Sequence, residues 1–153
     1  MTLDTLIEPE RCLLYPEAPE NENTVLRDLA SSAKNHVQSQ QDLYDALLKR
    51  EATLSTAVGS GIAFPHNKSH NIKETFISVA ACPEGLDWNA LDGKKVELIF
   101  LICCPLEEQS SYLQILAQIA ARFVKNEKNK QKLLQEVDKE FFFTTLKGIF
   151  KES

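Results

Sequence analysis

Three residue types in this chain could move a charged group: histidine, arginine and tyrosine, at His66, Arg50 and Tyr112. His66 ends the run Gly59-Ser60-Gly61-Ile62-Ala63-Phe64-Pro65-His66, a short apolar segment with an imidazole directly behind a proline. A neutral imidazole offers one lone pair to an electrophile, and an unperturbed pKa of ~6.5 leaves it mostly neutral near pH 7. Pro65 fixes its own φ near −65° and pushes Phe64 toward an extended shape. Gly59 and Gly61 permit backbone conformations or close approaches that other residues resist. The pattern predicts an imidazole leaving a strand end at a defined angle, as a nucleophile needs. Arg50, in Arg50-Glu51-Ala52 upstream, could either suit the dipole at a helix C-terminus or bring a guanidinium fork to an oxyanion.

The remaining chemistry-bearing residues say less. His70 follows His66 by four positions, and the pair could begin a metal site, but spacing supplies no third ligand. If the segment after Pro65 were helical, His70 would share a face with His66 and could donate to phosphate; otherwise it is an exposed loop histidine. Asn67, Ser69 and the backbone amides of this turn are candidate phosphate donors. His36 has no functional partner in sequence and is expected at the surface. Cys12, Cys82, Cys103 and Cys104 lack a CxxC spacing and read as reduced, small apolar residues.

Elements must position these groups, and the chain is long enough to supply them. Its 153 residues fit one domain, burying ~70% of the unfolded surface. With 43% hydrophobic and 25% charged residues the composition is that of a globular protein. The net charge of −5 argues against nucleic acid, which needs a clustered basic surface. Lys125, Lys128, Lys130 and Lys132 alternate with acids and amides and read as a solvated helix face. The first residues lack the basic start and apolar stretch of a signal peptide, and the longest apolar run, 98–105, is too short to span a bilayer. A cytoplasmic protein without direct membrane insertion is expected.

Thr24 is a candidate N-cap for a first helix carrying Val25, Leu26, Leu29 and Ala33, and a second helix is expected over 41–50. Residues 75–81 and 96–104, rich in β-branched and aromatic side chains, are the best strands. Between them Leu86, Trp88 and Leu91 punctuate a turn-rich stretch as apolar anchors. A long helix opened by Ser110 or Ser111 should turn Leu113, Leu116, Ile119, Ala120 and Phe123 inward. Helices over about 130–137 and 138–150 complete the chain. This mix predicts an α/β fold with helices covering a sheet.

The runs Leu-Leu-Lys-Arg-Glu-Ala (47–52) and Ser-Thr-Ala-Val-Gly-Ser-Gly-Ile-Ala-Phe-Pro-His (55–66) resemble the enzyme IIA domains of the fructose, mannitol and nitrogen-regulatory type. These belong to the bacterial phosphoenolpyruvate-dependent phosphotransferase system. The resemblance continues through 86–93, 96–101, 112–117 and the opening 6–11, covering nearly the whole chain, as one domain over 1–153 with its core at about 6–148. It implies a mixed β-sheet flanked by helices on both faces. It implies that His66 accepts a phosphoryl group from phosphohistidine of the carrier HPr or its nitrogen-branch counterpart, with Arg50 stabilising the phosphate. No metal or other cofactor is implied beyond the transient phosphohistidine. The acceptor would be a IIB protein, or the phosphorylation state would be read by regulatory targets; the stretch Leu91-Asp92-Gly93 favours the regulatory branch. A IIA unit acting without an attached IIB or membrane IIC domain is expected.

One residue departs from that family's usual pattern. Tyr112 stands where many members carry a second histidine. A phenol can donate a hydrogen bond but cannot become a cation near pH 7. Slower transfer or a less stable phosphohistidine is therefore expected. The competing reading is an interaction or sensor module on the same fold that carries no phosphate.

Overall fold

The computed structural model describes residues 2–152. Six strands, β1 (Cys12–Leu14), β2 (Ala57–Gly59), β3 (Ile62–Ala63), β4 (His66–Ser69), β5 (Phe76–Leu86) and β6 (Val96–Pro105), form one mixed sheet. The order is β1-β5-β6-β3-β2, and β4 lies beside β6 further along the same edge as β3. β5 and β6 run antiparallel at the centre, whereas β1 is parallel to β5 and both β3 and β4 are parallel to β6.

Strand alternation divides the core into two layers. Ile77, Val79, Leu98, Phe100, Ile102 and Cys104 face the helices α3 (Gln109–Phe123), α4 (Glu127–Leu134) and α5 (Lys139–Phe150). Phe76, Ala80, Cys82, Ile99, Leu101 and Cys103 face α1 (Glu22–Ser32) and α2 (Gln40–Thr53). The expected architecture, a mixed sheet with helices on both faces, is the observed one. All four cysteines are buried thiols. No helix among the described residues is long and apolar enough to cross a membrane.

Local chemistry moves several expected boundaries. Asn21, not Thr24, caps α1: its side chain accepts from the Thr24 amide at 3.2 Å, so the polar run there is the helix's first turn. Ser39 likewise caps α2, which runs past Arg50 to Thr53. A 3₁₀ turn at Leu106–Glu108 feeds directly into α3, so Ser110 and Ser111 lie inside the helix and cap nothing. That helix also sits about one position round from the expected face. Tyr112 and Ile115 are buried with Ile119 and Phe123, while Leu113 is 67% exposed. Asn126 caps α4, three residues before a start at 130 would require, and Val137 lies beyond it in solvent. Leu86 and Trp88 are buried as expected, but Leu91 is 90% exposed and anchors nothing.

Candidate functional site

The imidazole is positioned by a hairpin, a proline and one long strand. Gly59, Ser60 and Gly61 take φ of 94°, 58° and 74°, the left-handed turn joining β2 to β3. The φ of Gly61 strains any other residue, and a Cβ there would also sit 2.8 Å from Glu97 Oε1 and push that carboxylate aside. From that turn Ile62 and Ala63 pair with Leu98 and Ile99 of β6. Pro65 has no amide proton, yet its carbonyl accepts from the Ile102 amide at 3.0 Å, carrying the register across the break to His66 opposite Ile102. His66 therefore opens β4 rather than closing β3.

The His66 ring is half-buried, with Nδ1 3.1 Å from the carbonyl oxygen of Phe64. A carbonyl can only accept, so Nδ1 carries the proton and Nε2 keeps the lone pair. Burial holds the imidazole below its usual pKa range; the Phe64 carbonyl opposes this, the charges of Arg50 and Lys68 add to it, and Glu51 pulls back. The net direction favours the neutral, nucleophilic form at pH 7.

Across from it lies Tyr112 of α3, with ring centroids 4.7 Å apart and planes inclined by 34°. Burial raises the Tyr112 phenol, against the influence of Arg50, so it stays protonated near pH 7. Lys68 places its Nζ 4.9 Å from the centroid of the same ring. Arg50 donates to the Leu54 carbonyl through Nη1 at 2.7 Å, and its charge reaches both His66 and Tyr112. Neither Arg50 nor Lys68 forms an ion pair among the described residues. The result is a half-buried neutral imidazole beside two unneutralised cations, a setting suited to an anion.

The nearby carboxylate is occupied. Glu51 accepts from the Thr56 amide at 2.6 Å and from the Thr56 hydroxyl at 2.7 Å, and Trp88 Nε1 donates to that hydroxyl at 3.2 Å. This network ties the end of α2, and with it Arg50, to the strand leading into the His66 hairpin. Sequence reasoning singled out Glu51 only as part of Arg50-Glu51-Ala52 and did not foresee Thr56. A carboxylate one residue from the arginine and five before a threonine is the available signal.

The structure separates the other sequence candidates from the imidazole. Because 66–69 is a strand, the helical arrangement that would put His70 beside His66 does not form. His70 lies in the exposed turn past β4. Side chains alternate along β4, so Asn67 and Ser69 take the pleat opposite His66. There the Ser69 hydroxyl donates to Asn67 Oδ1 at 2.7 Å and accepts from the Asn71 amide at 3.2 Å. The His66–His70 pair finds no third ligand among the described residues. His36 is partly buried rather than purely surface, against Phe76 and 3.1 Å from Glu74 Oε1.

The model of the family "Phosphoenolpyruvate-dependent sugar phosphotransferase system, EIIA 2" matches residues 6–148. The PTS system fructose-specific EIIA component of Haloferax volcanii is 34% identical over 125 residues, 82% of this chain and 80% of that protein. A Nitrogen regulatory protein of Bradyrhizobium diazoefficiens is 28% identical over 146 residues, 95% of each. Among solved structures, nitrogen regulatory protein IIA-Ntr of Neisseria meningitidis superposes with a TM-score of 0.84. It is 21% identical, and the match covers 97% of this chain and 98% of that one, which establishes the shared fold. With a family model spanning nearly all of it, this chain belongs to the EIIA 2 family of the phosphoenolpyruvate-dependent sugar phosphotransferase system, whose members are phosphocarriers.

Proposed function

We propose that His66 is the phosphoryl-accepting residue. The observation that carries this reading is the tautomer: Nδ1–H donates to the Phe64 carbonyl, which leaves Nε2 with its lone pair. In the reaction, that lone pair attacks phosphorus of phosphohistidine on HPr or a nitrogen-branch HPr. A P–N bond forms at His66 Nε2 as the donor's P–N bond breaks, and the donor imidazole recovers its lone pair. Little covalent chemistry is asked of the protein, since a loose phosphoryl transition state chiefly needs positioning and charge around its equatorial oxygens. Arg50 is suited to supply that charge. Tyr112 packs on the acceptor ring, and its neutral phenol can donate to phosphate without adding positive charge.

The phosphoryl group then passes to a IIB protein, or its presence on His66 is read by other proteins. Adding a group of about −2 charge to this surface changes which partners it accepts. We favour the regulatory role, supported by the nitrogen regulatory relative matched over 95% of both chains. The experiment is intact-protein mass after incubation with phosphoenolpyruvate, enzyme I and HPr, or with their nitrogen-branch equivalents. One acid-labile phosphoryl group on wild type and none on His66→Ala is expected. No label, with a carrier competent on another IIA, would favour an interaction module that carries no phosphate. Preferential labelling by the nitrogen-branch pair would support regulation, and preferential labelling by HPr would support transport.

A further inference from the structure

The geometry points to Lys68 as a second phosphoryl-binding cation, held over the Tyr112 ring so that its ammonium reaches the oxygens of a phosphoryl group on His66. This rests on His66 being the acceptor. His66 and Lys68 are two residues apart on β4, so they project from the same pleat about 6.5 Å apart along the strand. Both meet Tyr112: the imidazole at 4.7 Å between centroids, the ammonium at 4.9 Å from the ring centre. The negative face of an aromatic ring attracts a cation, and the ring limits where the flexible lysine stem can go. No carboxylate neutralises Lys68 among the described residues, and Glu51, whose charge acts on the imidazole, is spent on Thr56. The donors that the sequence suggested, Asn67 and Ser69, lie on the opposite pleat and are bonded to one another. Lys68 therefore fills the place beside the imidazole that those residues leave empty.

This gives Tyr112 a different part. It cannot add a positive charge, but as a platform it brings one supplied by Lys68. Attraction between the ammonium and the developing charge is stronger in the transition state than before the donor docks, so its loss should slow transfer.

The test is single-turnover phosphorylation of the full chain, by phospho-HPr and separately by phosphoramidate, a donor with no protein surface. Lys68→Met keeps the stem and removes the charge, and should slow both reactions by about tenfold or more. Lys68→Arg should restore most of the rate, which a purely structural role would not predict. Tyr112→Phe should keep the dependence on Lys68, and Tyr112→Leu should weaken it. Lys68→Met labelling His66 at the wild-type rate with both donors would overturn the proposal and leave His66 as acceptor. A defect with phospho-HPr alone would also overturn it, making Lys68 a docking residue. Wild type that takes label from neither donor would sink the acceptor reading and this one together.

Discussion

The two ends of the segment 59–70 treat charge in opposite ways. At the hairpin end, Lys130 of α4 is buried and fully engaged: Nζ donates to the Ser60 carbonyl at 2.9 Å, to Glu97 at 3.0 Å and to Glu127 at 3.2 Å. At the imidazole end, some five residues on, Arg50 and Lys68 have no acid partner among the described residues. The first arrangement is closed, each charge answered within the fold. The second is left open, and an open electropositive end beside a neutral imidazole is what a phosphoryl acceptor requires. Rigidity at one end holds the geometry that the other end uses.

Breaking the closed end should unfold more than it inactivates. Lys130→Met leaves Glu97 and the Ser60 carbonyl without their cation, and should cost about 3 kcal/mol of stability, read by urea denaturation. Breaking the open end should do the reverse. Arg50→Ala should slow labelling of His66 by about a hundredfold, as loss of one oxyanion-type donor does, with thermal stability near wild type. If Arg50→Ala instead destabilised the fold as much as Lys130→Met, the contrast would fail.

A smaller effect sharpens the hairpin's part. Gly61→Ala forces a side chain into a left-handed residue and against Glu97 Oε1, and should cost about 1–3 kcal/mol in thermal unfolding. The smallest effect tests a third charge, outside both ends. Glu22 in the first turn of α1 has a buried Oε2 without a hydrogen-bond partner; burial, then Glu51 and Asp87, push its carboxyl up to about 7. A carboxyl raised in the folded state costs stability as pH climbs from its unfolded value through the folded one. Glu22→Gln should therefore stabilise by roughly 1 kcal/mol at pH 8, allowing for partial solvation, and by almost nothing at pH 4. Equal effects at both pH values would show that Glu22 ionises normally.

The difference between the ends also explains what the sequence could tell. β6 and the first half of β5 were legible because their apolar runs are buried on both faces, whereas the exposed Pro83 and Glu84 hid the continuation of β5 to Leu86. His66, Arg50 and Tyr112 were legible through their pattern. β4 was not, since His-Asn-Lys-Ser has no apolar alternation, and its pairing comes from β6 rather than from its own side chains. Without that strand the opposite pleats of Lys68 and Asn67 could not be told apart. In α3, stripes beginning at 112 or at 113 both satisfy helical spacing, and packing onto the sheet decides for Tyr112. The Lys130 cluster was hidden for a similar reason: alternating charges in a sequence look solvated until the helix docks.

The most direct measurement is the pH dependence of His66 itself, followed by imidazole NMR on the free protein and again after incubation with phosphoenolpyruvate, enzyme I and HPr. The expected result is an Nδ1-protonated ring in the free protein that titrates below the ordinary histidine value of ~6.5, and a phosphoryl group on Nε2 afterwards. A ring protonated at Nε2, or phosphorylation at any other residue with His66 unchanged, would contradict it.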